Sequence, residues 1–176
     1  MTHKRILCIG DSLTEFFDWQ GRFPDHEVKN LGRAGETVEG LLGRLEAVAA
    51  RRLEPDMVFL MTGINNVAMD DLGFLGAYRE VLRRLLAAYP KARLFAQGLL
   101  PTRLPWISGD AILRVNRSLK ELAEEEGASY IDLHPLFLDA EGEASAEYLL
   151  PDGVHISERG YAVWSGRLEG LISEKE

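Results

Sequence analysis

The chain has 176 residues, 46% hydrophobic and 27% charged, enough to bury a full core, and is read as one domain spanning residues 1–176. A formal net charge of −8 argues against nucleic acid or an anionic membrane as the main partner, because such surfaces are held by clustered Lys and Arg. A single cysteine excludes an internal disulfide, no apolar run is long enough to span a bilayer, and with no signal-like N-terminal segment the default expectation is a cytoplasmic location.

The first predicted element is a strand over Ile6 to Ile9 that stops abruptly at Gly10-Asp11-Ser12. Cys8, inside this apolar run, reads as a small core residue rather than a reactive thiol. From Leu13 to His26 the aromatics and acids fit no clean period, and no element is assigned. A second strand over Val28 to Leu31 runs into "GRAGET", after which Thr37 can cap a helix striped by Val38, Leu41, Leu42, Leu45 and Val48. The third strand, Met57 to Met61, leads into "TGINN" and then to a helix carried by Phe74, Tyr78, Val81, Leu82, Leu85 and Tyr89, stopped by Pro90.

The fourth strand, Leu94 to Gln97, enters "GLLPTRLPW". The following helix, striped by Ile112, Val115, Leu119 and Leu122, ends at Gly127; its acidic stretch "KELAEEE" reads as a solvated face. A fifth strand over Tyr130 to Leu133 puts Asp132 and His134 on one face by its period of two, where a structural role is favoured over a substrate contact. Tyr161, Trp164, Leu168 and Leu171 stripe a last helix. Short, largely apolar strands alternating with helices imply an α/β fold, with a parallel sheet of about five strands buried on both faces.

Ligands of such sheets bind at the carboxyl ends of the strands, so the four loops after the first four strands share one rim. Ser12 at a strand tip is a candidate nucleophile there, although Gly, Asp and Ser are also ordinary turn residues. "GDSLT" does not fit the glycine-serine-glycine elbow, since Thr14 stands where the second glycine would be. A hydroxyl needs a base. Among four histidines, His155 in "PDGVHISERGY" has organised surroundings: Asp152, three residues earlier on a turn, can fold its carboxylate onto the imidazole. A helix-start histidine with no chemical duty explains the same residues. His3 near the terminus and His26 in a polar connection compete poorly, and no cluster has metal-ligand spacing. Gly35 can expose a backbone N–H and Asn65 can offer a side-chain amide to a developing oxyanion, or each can simply serve its turn.

Gly10-Asp11-Ser12-Leu13, Gly35 before Glu36 and Thr37, Gly63-x-Asn65 and Asp152-x-x-His155 resemble, in order, the four blocks of the GDSL, or SGNH, hydrolase family. The resemblance implies a flavodoxin-like three-layer α/β/α sandwich and a serine esterase needing no cofactor or metal. It implies Ser12 as nucleophile, His155 as base, Asp152 as its partner, and an oxyanion hole made by the N–H groups of Ser12 and Gly35 with the Asn65 side chain. The third block usually reads Gly-x-Asn-Asp, whereas this chain has Asn66; Asn66→Asp, restoring the usual residue, is expected to be close to neutral.

The implied substrate is a small-molecule ester with a short acyl group. Phe16, Phe17 and Trp106 could wall an acyl pocket or be ordinary packing. Arg33 and Arg103 could steer an anionic group, a solvated surface role being simpler. A carbohydrate O-deacetylase, a thioesterase and an acyltransferase using the same acyl-enzyme remain open alternatives. A non-catalytic binding module is disfavoured by the full set of catalytic residue types, and nothing in the sequence fixes an oligomeric state.

Overall fold

Five short runs form one parallel sheet in the computed structural model, which describes residues 3–174. The strands are β1 (Arg5–Gly10), β2 (Glu27–Gly32), β3 (Met57–Met61), β4 (Arg93–Gln97) and β5 (Ser129–Ile131), ordered β2-β1-β3-β4-β5 in space. The helices are α1 (Ser12–Glu15), α2 (Trp19–Arg22), α3 (Val38–Ala49), α4 (Ile64–Ala68), α5 (Leu75–Ala88), α6 (Gly109–Glu126) and α7 (Glu158–Ser173).

Winding runs outward from β1 in both directions, so right-handed crossovers send helices to opposite faces. Helices α3, α5 and α6 pack side by side. Helix α7 instead meets α2: Trp19 and Trp164 pack edge to face at 4.8 Å, and Arg22 reaches Ser165 and Glu169. The result is the expected three-layer α/β/α sandwich. β1, β3 and β4 are buried almost throughout because both faces are covered.

β2 departs from the expected burial. It is an edge strand in which only Val28 is buried, while Glu27 and Lys29 are exposed and paired with each other at 3.3 Å. Charges on an edge strand discourage further pairing. The fifth strand is also shorter than expected and ends at Ile131, so Asp132 and His134 do not share a strand face. Pro135 has no N–H for a ladder, and His134–Phe137 tighten into a 3-10 turn, with the His134 N–H donating to Asp132 Oδ1 at 3.3 Å.

The unassigned stretch after Leu13 holds α1 and α2, four residues each and too short for periodicity to register. Each starts at an aspartate: Asp11 accepts from the Leu13 N–H and Asp18 from the Gly21 N–H. Buried aromatics then fasten α1 in place. Trp19 Nε1 donates to the Thr14 carbonyl and the Tyr161 hydroxyl to the Leu13 carbonyl, both at 2.9 Å. The predicted stripes of α5, α6 and α7 are buried, and the Cys8 thiol lies in the core with its pKa pushed up by burial.

Candidate active site

Ser12 is the first residue of α1, just beyond the tip of β1, and is only 6% exposed. Its Oγ lies 3.1 Å from His155 Nε2, and His155 Nδ1 lies 2.7 Å from Asp152 Oδ2. The other Asp152 oxygen accepts from the backbone N–H groups of Val154 and His155, at 3.0 and 2.9 Å. Desolvation pushes the Asp152 carboxyl up, but those two N–H groups and the His155 ring together hold it below its ordinary value. A proton on Nδ1, facing the carboxylate, leaves the Nε2 lone pair toward Ser12.

The loop carrying these groups is pinned at both ends. Leu150 N–H donates to the His155 carbonyl at 2.7 Å, closing the turn, and Ser157 caps α7 two residues after His155. At its apex Gly153 has φ +77°, and its carbonyl accepts from the Arg103 N–H at 2.8 Å. A Cβ at Gly153 would sit 3.1 Å from the Arg103 backbone. Glycine therefore lets the loop after β4 fasten the turn that carries His155.

The expected oxyanion donors lie on the segments that follow β1, β2 and β3, at one end of the sheet. Among the described residues, no protein acceptor takes the N–H of Ser12 or of Gly35. Gly35 has φ +72°, which only glycine adopts without strain. Asn65, at the start of α4, donates one amide hydrogen to the Glu36 carbonyl at 2.9 Å, which orients the side chain and leaves its second hydrogen available. Glu15 was not foreseen in this role: its carboxylate accepts from the Ala34 N–H at 2.6 Å, tying the Gly35 turn to the helix that bears Ser12. Its position three residues after Ser12 on one short helix was the available signal.

Two further polar residues are chain neighbours of these donors. Asp11 is fully buried, and desolvation pushes its carboxyl up to about 7 against the Leu13 N–H, which lowers it. Asn66 is also fully buried: it accepts from the Val38 N–H and donates to the carboxylates of Glu39 and Asp71, each at 2.9 Å. It joins α4 to the start of α3, with its amide oxygen and nitrogen both engaged there.

The expected substrate contacts separate. Phe16 is 60% exposed with its ring 5.5 Å from the His155 ring, so it stands at the mouth of the site. Phe17 is half-buried and packs inward, stacked on Tyr161 at 4.4 Å and against Trp19 at 4.7 Å. Trp106, on the loop after β4, is 67% exposed. Arg103 sends Nη1 to the Ala144 carbonyl at 3.2 Å, and Arg33 faces Glu36 at 3.7 Å. His3 and His26 lie near each other by Lys4, at the opposite ends of the strands from Ser12. Among the described residues, no group of three or more His, Cys, Asp or Glu is placed to hold a metal ion, and no helix is long and apolar enough to cross a membrane.

The strand order defines a flavodoxin-like α/β fold, with Ser12 at the tip of β1 on the rim where such sheets bind ligands. The chain belongs to the GDSL-like Lipase/Acylhydrolase family, whose pattern matches residues 8–163. It is 27% identical over 173 residues to the Bos taurus platelet-activating factor acetylhydrolase IB subunit alpha1, covering 95% of this chain and 74% of that protein. A solved chain from Streptococcus pneumonia, provisionally assigned as a platelet activating factor, superposes with a TM-score of 0.85 at 25% identity, over 97% of this chain and 84% of that one. A GDSL-like lipase from Bacteroides thetaiotaomicron shares the fold, with a TM-score of 0.75 at 22% identity over 96% of this chain and 87% of that one. The protein is accordingly a carboxylic ester hydrolase.

Proposed function

We propose that the protein hydrolyses short acyl esters of small molecules through an acyl-enzyme on Ser12. The observation that carries this reading is the continuous relay from Ser12 Oγ to His155 Nε2 at 3.1 Å and from His155 Nδ1 to Asp152 Oδ2 at 2.7 Å. His155 takes the Ser12 proton as Oγ attacks the ester carbonyl. The N–H groups of Ser12 and Gly35 and the free hydrogen of the Asn65 amide then hold the tetrahedral oxyanion.

Protonated His155 passes its proton to the departing alkoxide as the carbon–oxygen bond breaks. Water, deprotonated by the same imidazole, releases the acid and restores Ser12. Asp152 keeps the imidazole in the required tautomer throughout. Similarity to an acetylhydrolase supports a short acyl group. Phe16, exposed beside His155, offers an apolar edge for it.

The test is labelling with a fluorophosphonate, peptide mass spectrometry, and turnover of p-nitrophenyl esters of increasing acyl length. Modification is expected at Ser12 alone, with Ser12→Ala folded and turnover reduced by about 10⁴-fold or more. Label on another serine, or near-normal turnover in Ser12→Ala, would overturn the reading.

A further inference from the structure

After β2 the chain turns through Gly35 into α3, and the residue that follows this glycine carries a charge almost out of reach of water. Glu36 is 7% exposed, and the side chain of its partner Arg44, further along α3, is 16% exposed. The guanidinium meets the carboxylate as a fork: Nε lies 2.7 and 2.9 Å from its two oxygens, and Nη2 lies 2.6 Å from Oε2. Nη2 also donates to the Leu31 carbonyl in β2 at 2.8 Å. One side chain therefore joins the end of β2, the Gly35 turn and the body of α3. Arg33, on the exposed side of the same carboxylate at 3.7 Å, adds little.

Such a pair does little for stability by itself, because withdrawing two charges from water offsets most of their attraction. Glu36 is also poorly placed to act as an acid or base, since both its oxygens are held by Arg44. Its link to the candidate site runs through its backbone. The Glu36 carbonyl accepts from Asn65 Nδ2 at 2.9 Å. Because the amide group is planar, fixing one Nδ2–H direction fixes the other. The residue before Glu36 is Gly35, which supplies another of the expected donors. A donor aimed at a developing charge acts most strongly when it is fixed before that charge appears.

We propose that the Glu36–Arg44 ion pair is a positioning device for ester hydrolysis, holding the Glu36 carbonyl where it aims the Asn65 amide at the oxyanion. The pair acts through Asn65 rather than on the substrate, and the proposal rests on the Ser12 reading.

The double substitution Glu36→Gln with Arg44→Met removes the fork without stranding a charge, so the protein is expected to fold, with a urea midpoint close to that of the unsubstituted protein. On p-nitrophenyl acetate its kcat should fall by about 30-fold, with KM changed by less than about threefold. In an Asn65→Ala background the same two substitutions should lower kcat by less than about threefold, because the group they position is already gone. In nitrogen-15 NMR spectra the Asn65 side-chain amide signals, identified by their loss in Asn65→Ala, should move toward those of solvent-exposed asparagines. Arg44→Lys keeps the charge but not the fork, and should fold and lose an intermediate factor in kcat; should the double variant not fold, Arg44→Lys decides by the same comparisons. A folded variant with undiminished kcat, an equal loss with and without Asn65, or unmoved Asn65 signals overturns the proposal. Near-normal turnover in Ser12→Ala or in Asn65→Ala would instead count against the Ser12 reading, with the amide signals still deciding whether the pair holds Asn65.

Discussion

Asn65 and Asn66 are neighbours with the same side chain, yet their surroundings give them opposite duties. Asn65 donates one amide hydrogen to the Glu36 carbonyl, and in the proposed mechanism the other meets the oxyanion, so Asn65→Ala should lower kcat by about 10² to 10³ with little change in KM, as steady-state kinetics on p-nitrophenyl esters would show. Asn66 donates to two carboxylates at once. Replacing it with aspartate removes both donors and puts a third carboxylate between Glu39 and Asp71. These contacts argue against the near-neutrality implied by the usual family residue: Asn66→Asp should cost about 2 to 3 kcal/mol in urea unfolding at pH 7. Four short motifs singled out Ser12, Gly35, Asn65, Asp152 and His155 in the sequence as candidates. The pairing of Asn66 with Glu39 was not legible, because the two lie 27 residues apart and meet only where the start of α3 reaches α4.

At the scale of elements, the loop from Leu150 to Ile156 is closed by its own hydrogen bonds, and a glycine conformation at its apex lets it fasten to the loop after β4. Gly153→Ala forces a side chain into the left-handed region and against Arg103. The expected result is about 1 to 2 kcal/mol of lost stability and a fall in kcat larger than any rise in KM, because the base is displaced from Ser12. Glu15→Ala tests the Gly35 side of the site. It should loosen the Gly35 turn and lower kcat by about tenfold, and Glu15→Gln should recover only part of that, since its neutral oxygen accepts more weakly from the Ala34 N–H. Long stripes and buried strands were readable because their periods repeat over many residues. The ends of elements were not: β5 stops at Ile131 through the chemistry of Pro135, and α1 and α2 owe their existence to aspartate caps and to Trp19.

For the molecule as a whole, Asp11 ties stability to pH. Burial raises its folded pKa to about 7 from an ordinary 3.8, so the native state retains a proton that the unfolded chain has lost between those values. Its contribution to stability therefore declines as pH rises through that window and is constant above it. Asp11→Asn keeps an acceptor for the Leu13 N–H without the charge. Between pH 5 and 8 the unsubstituted protein should lose about 1 to 3 kcal/mol more stability than this variant, measured by urea unfolding at each pH; equal slopes would refute the assignment. Asp152 acts oppositely. Its folded pKa lies below the ordinary value, so its contribution is present above the ordinary range and is lost as acid protonates it in the folded state. The sheet order was legible from the alternation of strands and helices, but this pH response required knowing that Asp11 has no exposure at all.

The hydrogen bond between Ser12 and His155 joins positions 143 residues apart. During translation Ser12 emerges long before His155 has been made, so under the proposed mechanism no partly synthesised chain carries out the reaction. On refolding, the earliest native segments are likewise silent, because the site closes only after β1 and the loop before α7 have found each other across the finished sheet. Ester turnover in a refolding experiment is therefore a clock for the slowest, most distant contact in the chain, and should rise later than the helical signal.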